Sequence, residues 1–122
     1  MLLVTPAVAA ADSGGTVAGL RVAATRLLDA ELARDGATAC GILNAPLTAT
    51  VNGRSCAQRW DARFAHVLAK HGGKAHVLAD LRAVASAAVA MNGNYASIAL
   101  PQPLLAGHSQ FYWTNNCWML VN

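Results

Sequence analysis

The segment SQFYWTNNCWMLV, residues 109–121, decides the class of fold that this sequence predicts. Large apolar residues alternate with other residues on both sides of Asn115-Asn116, and a period of two is typical of a half-buried β-strand. Asparagine tolerates the left-handed backbone, so the Asn-Asn pair suits the two-residue turn of a hairpin. In that register, two pairs of large apolar side chains share one face: Trp113 with Trp118, and Phe111 with Leu120.

A second stretch with a period of two precedes this hairpin, over residues 83–100. The dipeptide Asn92-Gly93 lies at its middle and favours a type I′ turn, because that turn needs a positive φ at both central positions. The register predicted from this turn places three pairs on the core side: Val89 with Ala96, Ala87 with Ile98, and Ala85 with Leu100. Tyr95 and Ser97 then face the other way.

Apolar residues in the first part of the chain recur at three- and four-residue spacing, which is the pattern of an amphipathic helix. A first helix is predicted from Thr16 to Arg34, with Asp35-Gly36 ending it because glycine readily adopts a positive φ. Its apolar stripe consists of Leu20, Ala24, Leu27, Leu28 and Leu32. Three charged residues are predicted to lie off this stripe: Asp29, Glu31 and Arg34.

Two further helices follow. A short one is predicted from Ala37 to Leu43, before Pro46. A third starts after Ser55, a good N-cap residue, and runs to about Lys70. Its apolar stripe consists of Cys56, Trp60, Phe64, Val67 and Leu68. The stretch 74–82 is ambiguous and fits a further helical turn leading into a strand.

Helices followed by antiparallel strands predict an α+β fold, with the N-terminal helices packed on one side of a curved antiparallel sheet. The length of 122 residues suits one domain, which we assign to residues 16–122. Residues 1–15 have a different character. The apolar run 2–10 ends in Ala7-Val8-Ala9, which resembles a signal-peptidase site, but no Lys or Arg precedes it. We therefore expect a signal-peptide remnant and an exported protein, with a disordered N-terminus as the alternative.

The composition excludes several classes of protein. Hydrophobic residues make up 55% of the chain and charged residues 12%, which is unlike a disordered protein. No uninterrupted apolar stretch reaches the roughly 18 residues of a membrane span, so no stable span is expected. The net charge of +3 comes from scattered basic residues that lack the density and exposed aromatics of a nucleic-acid footprint, so we expect no nucleic-acid partner.

The three cysteines differ in their predicted roles. Cys40 and Cys56 lie on consecutive predicted helices, so we expect a disulfide between them, which suits an exported protein. Two buried thiols or a metal pair are the alternatives, although no Cys-x-x-Cys or similar metal-ligand spacing is present. Cys117 flanks a turn, and no base can be named that would activate it as a nucleophile, so we expect a free thiol, with an intermolecular bridge as the alternative.

Four stretches of this sequence resemble the nuclear-transport-factor-2-like superfamily of cone-shaped α+β domains, particularly its small exported actinobacterial members. They are RLLDA at 26–30, RDGATAC at 34–40, GRSC at 53–56, and WTNNCWMLV at 113–121. The resemblance implies a cone-like half-barrel that can enclose an apolar pocket. Superfamily members include isomerases, hydrolases, cyclases and many non-catalytic binding or assembly modules. The turn before Trp118 departs from the common Asp-Gly-x-Trp pattern.

No residue pattern identifies a catalytic group, a metal site or a cofactor, and we assign none. Acid–base candidates are few and are more typical of solvated side chains: Asp29, Asp61, Asp80, His66, His76 and His108. We therefore expect a binding or interaction module, with an isomerase or hydrolase acting on a small molecule as the alternative. An apolar small molecule would contact the aromatic residues that could line a cone: Trp60, Phe64, Phe111, Trp113 and Trp118. The alternative is that these aromatic side chains fill the core, since large aromatics on both strands of a terminal hairpin usually pack against a helix.

A homodimer is the third hypothesis, because cone-fold domains often associate through the exposed face of the sheet. Three large side chains lie on that face in the predicted register: Tyr95, Tyr112 and Met119. Size-exclusion chromatography with light scattering is expected to show twice the monomer mass at high protein concentration. A strictly monomeric species would contradict this hypothesis.

Overall fold

The computed structural model describes residues 15–102, 104 and 108–121, and in this part of the chain four helices precede four strands. The α+β class is therefore confirmed. The predicted signal remnant lies outside the described residues, apart from Gly15.

Helix α1 spans Val17–Ala33, close to the predicted range. The side-chain oxygen of Thr16 caps it by accepting a hydrogen bond from the amide of Gly19 at 3.0 Å. The prediction that Gly36 supplies the positive φ is wrong, because Arg34 takes the left-handed conformation with φ 54°. The amide of Arg34 bonds the carbonyl of Glu31, and the amide of Asp35 bonds that of Ala30 at 2.8 Å, so carbonyl groups of the last turn are satisfied.

Helix α2 spans Gly36–Cys40 and is shorter than predicted. The chain turns after it, and Leu43 then forms a bridge with the last strand of the sheet. The amide of Leu120 donates to the carbonyl of Ile42 at 2.8 Å, and the amide of Asn44 donates to the carbonyl of Leu120 at 2.9 Å. Residues 42–44 therefore cover one edge of the sheet.

Helix α3 spans Cys56–Ala69, and a reciprocal capping box starts it. The amide of Gln58 donates to the hydroxyl of Ser55 at 3.2 Å, and the amide of Ser55 donates to the side chain of Gln58 at 2.9 Å. Helix α4 spans Gly73–Ala83 and occupies the stretch that the sequence left ambiguous. The predicted strand start at Ala83 is therefore wrong, since that residue ends a helix.

Two glycines allow α3 to lie very close to both of its helical neighbours. A Cβ atom at Gly36 would lie 2.3 Å from the carbonyl oxygen of Ala57 in α3, and one at Gly73 would lie 1.9 Å from that of Val67. Neither distance is possible for a real side chain, so both positions require glycine for space. The predicted disulfide between Cys40 and Cys56 is present and joins α2 to α3.

The sheet is antiparallel and open, with strand order β1-β2-β3-β4. Its strands are β1 Val89–Asn92, β2 Tyr95–Ile98, β3 Gln110–Thr114 and β4 Cys117–Leu120. The second hairpin has the predicted register, with Trp113 opposite Trp118 and Phe111 opposite Leu120. Asn115 and Asn116 both have positive φ, at 51° and 60°, as predicted for a two-residue turn.

The predicted register of the first hairpin is wrong by two residues. Asn92 pairs with Tyr95, and Val89 pairs with Ile98 rather than with Ala96. The turn is therefore Gly93-Asn94, and Gly93 takes the first central position with φ 61°. A shift by two residues keeps each side chain on its predicted face. Ala96 and Ile98 are indeed buried, while Tyr95 and Ser97 are exposed.

Two predicted partners lie outside this hairpin. Ala87 is buried but precedes β1. Ala85 lies exposed in the turn after α4, so its predicted core-side pairing with Leu100 is wrong.

The core lies between the helices and one face of the sheet, and indole N–H groups tie distant segments to it. Nε1 of Trp118 donates to the carbonyl of Thr16 at 3.0 Å, which joins the last strand to the start of α1. Nε1 of Trp60 donates to the carbonyl of Leu47 at 2.9 Å. Each large ring is thus buried with its polar group satisfied. Among the described residues, no helix is long and apolar enough to cross a membrane.

Replacement of Gly36 by alanine is expected to lower the free energy of unfolding by about 2 kcal/mol or more, because the new methyl group overlaps the backbone of α3. Gly41→Ala is the matched control, since a Cβ there would lie 3.4 Å from the carbonyl oxygen of Thr38. That variant should stay within about 0.5 kcal/mol of the parent. Chemical denaturation measures both, and equal effects would contradict the close approach.

Candidate functional site

A groove of about 460 Å³ lies among α1, α3 and α4. Helix α1 contributes Glu31, and α3 contributes Arg63, His66 and Val67. Helix α4 contributes Gly73, His76, Val77 and Asp80. Gln102, from the segment after β2, completes the lining. The volume lies within the usual range for sites that hold small molecules.

Glu31 lies at the floor of this groove with only 3% of its surface exposed. Its predicted position off the apolar stripe of α1 is wrong. It follows Leu27 by four residues and Leu28 by three, so it continues the buried face of the helix. That spacing was the signal that could have found it. No hydrogen bond joins its carboxylate to a described residue, and its oxygens are not among the fully enclosed unpaired atoms, so they keep contact with the solvent of the groove.

Asp80 is the second buried carboxyl group of the groove, with 2% exposure. The α4 register that buries Val77 also turns Asp80 inward, since the two are three residues apart. One of its oxygens accepts a hydrogen bond from the amide of Gln102 at 2.8 Å. We call Glu31 and Asp80 the acidic pair.

Burial raises the pKa of both members of the acidic pair. Removal from water raises the pKa of Glu31 from 4.5 to about 7; the negative charge of Asp80 adds to this rise, and the guanidinium of Arg63 opposes it. Burial also raises the pKa of Asp80, against the hydrogen bond from Gln102 and the nearby His76. Near neutral pH, the pair can therefore hold or release a proton.

Exposed basic side chains surround the mouth of the groove. Arg63 and His66 share one face of α3, being three residues apart, Lys70 follows the end of that helix, and His76 reaches the groove from α4. We call these four residues the basic rim. Arg63 lies close enough to lower the pKa of Glu31, yet no ion pair joins them within the described residues. The groove thus has an acidic floor and a basic mouth.

The structure brings together only some of the acid–base candidates that the sequence offered. Asp80, His66 and His76 line the groove. Asp61 instead accepts a hydrogen bond from the amide of Gly36 at 2.6 Å and so holds α2 against α3.

The remaining candidates lie elsewhere. Asp29 is exposed. His108 packs edge-on against Trp60 with ring centroids 6.2 Å apart. Its buried Nδ1 has no hydrogen-bond partner among the described residues. Cys117 is an exposed free thiol, as expected.

The five aromatic residues proposed to line an apolar pocket lie in or against the core rather than in this groove. Trp60, Phe64, Phe111 and Trp118 are buried in the main cluster, and Trp113 packs against it. Trp60 contacts Phe64, and Trp113 contacts Trp118. The apolar pocket stays a prediction.

The three side chains of the proposed dimer face lie on neighbouring strands of the sheet. Tyr95 is 47% exposed and its ring centroid lies 4.8 Å from that of Tyr112. Met119 is half-buried opposite Tyr112 in the sheet.

Among the described residues, no group of three or more His, Cys, Asp or Glu side chains could hold a metal ion. Comparison of the chain with profiles of known protein families, with curated proteins and with solved structures finds no match.

The raised pKa of Glu31 makes stability depend on pH. The folded state binds this proton up to about pH 7, and the unfolded chain binds it up to about pH 4.5. Tighter proton binding by the folded state therefore contributes to stability fully below pH 4.5, and this contribution is lost as the pH rises through about 7. Glu31→Gln should therefore be more stable than the parent by about 2 kcal/mol at about pH 8, after allowance for solvent screening.

The same variant should differ little from the parent near pH 4.5, where the parent carboxyl is neutral. Asp29→Asn, an exposed change on the same helix, is the control and should leave the pH profile unchanged. Urea titrations across this range measure the effect. A parallel profile for Glu31→Gln and its parent would contradict the assignment.

Proposed function

We propose that this protein is a small-molecule-binding domain whose ligand occupies the groove among α1, α3 and α4. The observation that carries this proposal is the carboxyl group of Glu31, which is buried, faces the groove and has no hydrogen-bond partner among the described residues. A ligand with hydrogen-bond donors would supply the missing partner.

The energetics support a functional reason for this group. A buried carboxyl group without a hydrogen-bond partner costs free energy on folding, and replacement of buried charged groups by apolar side chains of similar size often leaves a fold as stable or more stable. Asp80 adds a second acidic group beside the first, which raises the cost further. Groups that destabilise a fold in this way are concentrated at binding and catalytic sites.

The polar lining also bears on the type of ligand. The aromatic side chains that could have lined an apolar pocket lie in or against the core, and the groove presents carboxyl, guanidinium and imidazole groups. A polar ligand suits this lining better than an apolar one.

Export and membership of the cone-fold superfamily belong to the same proposal. The Cys40–Cys56 disulfide suits a protein that works in an oxidising compartment. Four helices that precede an open antiparallel sheet suit the helical side and the curved sheet of a cone-like half-barrel.

An acid–base enzyme is the second candidate, and the pKa of Glu31 favours it. A carboxyl group with a pKa of about 7 can accept or donate a proton near neutral pH, which is the requirement for a general base or acid. Isomerisation or hydrolysis of a small polar molecule is the reaction type that such a group serves. Turnover of a bound molecule would distinguish this candidate from simple binding.

Amide NMR spectra recorded with a set of neutral, cationic, anionic and zwitterionic fragments test the proposed function. Fragments that bind should shift resonances of α1, α3 and α4 around Glu31, Arg63 and Asp80. Glu31→Gln should change the set of binding fragments, whereas Asp29→Asn should not. Shifts confined to the sheet, or the absence of shifts with every fragment, would overturn the proposal.

A further inference from the structure

Charge is segregated by depth in the groove. The two acidic side chains are almost completely buried, at 3% and 2% exposure for Glu31 and Asp80. The basic rim lies outside them, and its four members are exposed to solvent. A ligand that enters the groove therefore meets carboxyl groups at its inner end and the cations Arg63 and Lys70 at its outer end.

We infer that the ligand is a small zwitterion of the amino-acid type, with its ammonium group against the acidic pair and its carboxylate against Arg63 and Lys70. This inference rests on the proposed function, since it names the ligand class of the same groove.

The inner end selects a cation that can donate several hydrogen bonds. Glu31 has both carboxyl oxygens without a partner among the described residues, and one oxygen of Asp80 accepts from the amide of Gln102. An ammonium group carries three donors and could bond to both side chains at once. Charge-assisted hydrogen bonds of this kind are the strong ones when water is excluded.

The outer end selects against a simple amine. Arg63 and Lys70 repel a ligand that carries only positive charge, and a carboxylate turns that repulsion into attraction. A ligand that carries only negative charge would be attracted by the rim. Its other end would have no positive charge or hydrogen-bond donor to offer the acidic pair. Only a molecule with both charges satisfies both ends of the groove, whose volume of about 460 Å³ suits a small one.

Calorimetric titration of the full chain with two matched sets of probes tests this inference. One set is ε-aminocaproate, hexylamine and hexanoate; the other is γ-aminobutyrate, butylamine and butyrate. In at least one set, the zwitterion is expected to bind about tenfold or more tightly than both of its singly charged relatives, because each end adds a charge-assisted contact.

Charge-neutral variants assign the two ends. Glu31→Gln should weaken binding of the zwitterion and of the amine and leave the carboxylate probe unaffected. Lys70→Gln should weaken the zwitterion and the carboxylate but not the amine. Asp29→Asn and Lys74→Gln are the controls, since both residues are exposed and neither lines the groove. Urea denaturation of each variant checks that it is folded.

The outcomes separate this inference from the proposed function. An amine or a carboxylate that binds as tightly as the zwitterion overturns the ligand class. So does the absence of zwitterion binding up to about 10 mM when other fragments still shift the groove resonances. If no fragment shifts them, the proposed function itself fails.

Discussion

The close approach of helix α3 to its two helical neighbours is the constraint on which the rest of the structure depends. Gly36 and Gly73 leave no room for a Cβ atom against the backbone of α3, so α2 and α4 lie directly on it. Asp61 and the Cys40–Cys56 disulfide hold the α2 side, through a hydrogen bond to the amide of Gly36 and a covalent bond. Because α3 is held on both sides, the side chains that line the groove between α3, α1 and α4 have fixed relative positions.

That geometry explains the groove. Helices packed so closely turn the faces that carry Glu31 and Asp80 toward one another, while the longer basic side chains of α3 remain at the surface. The result is a pair of carboxyl groups removed from water beside exposed cations. The fold loses stability by burying these acids, and the glycine contacts, the disulfide and the aromatic core of α3 and the second hairpin offset that loss. Helix α3 therefore both carries the contacts that stabilise the fold and forms one wall of the groove.

Much of this fold could be predicted from local patterns. The second hairpin was predicted residue by residue, because Asn115-Asn116 permits only a short turn and the alternation on both sides admits one register. The cap at Ser55 and the disulfide were predicted as well. The first hairpin was less well determined, since its small alanine side chains fit either register and glycine can occupy either turn position. The stretch of helix α4 was left ambiguous, as a further helical turn leading into a strand, because its sequence has no strong apolar period.

The sequence by itself determined helices α1 to α3, the presence of two hairpins, the faces of their strands, and that Cys40 and Cys56 can meet, because these depend on spacing along the chain. It did not determine the site. Glu31 is charged, and a charged residue at the margin of an apolar stripe is normally solvated. Only the tertiary structure decided that α3 and α4 would cover it and bring Asp80 beside it. The reason is that burial depends on how closely neighbouring helices pack, which here depends on the contacts that Gly36 and Gly73 make with α3.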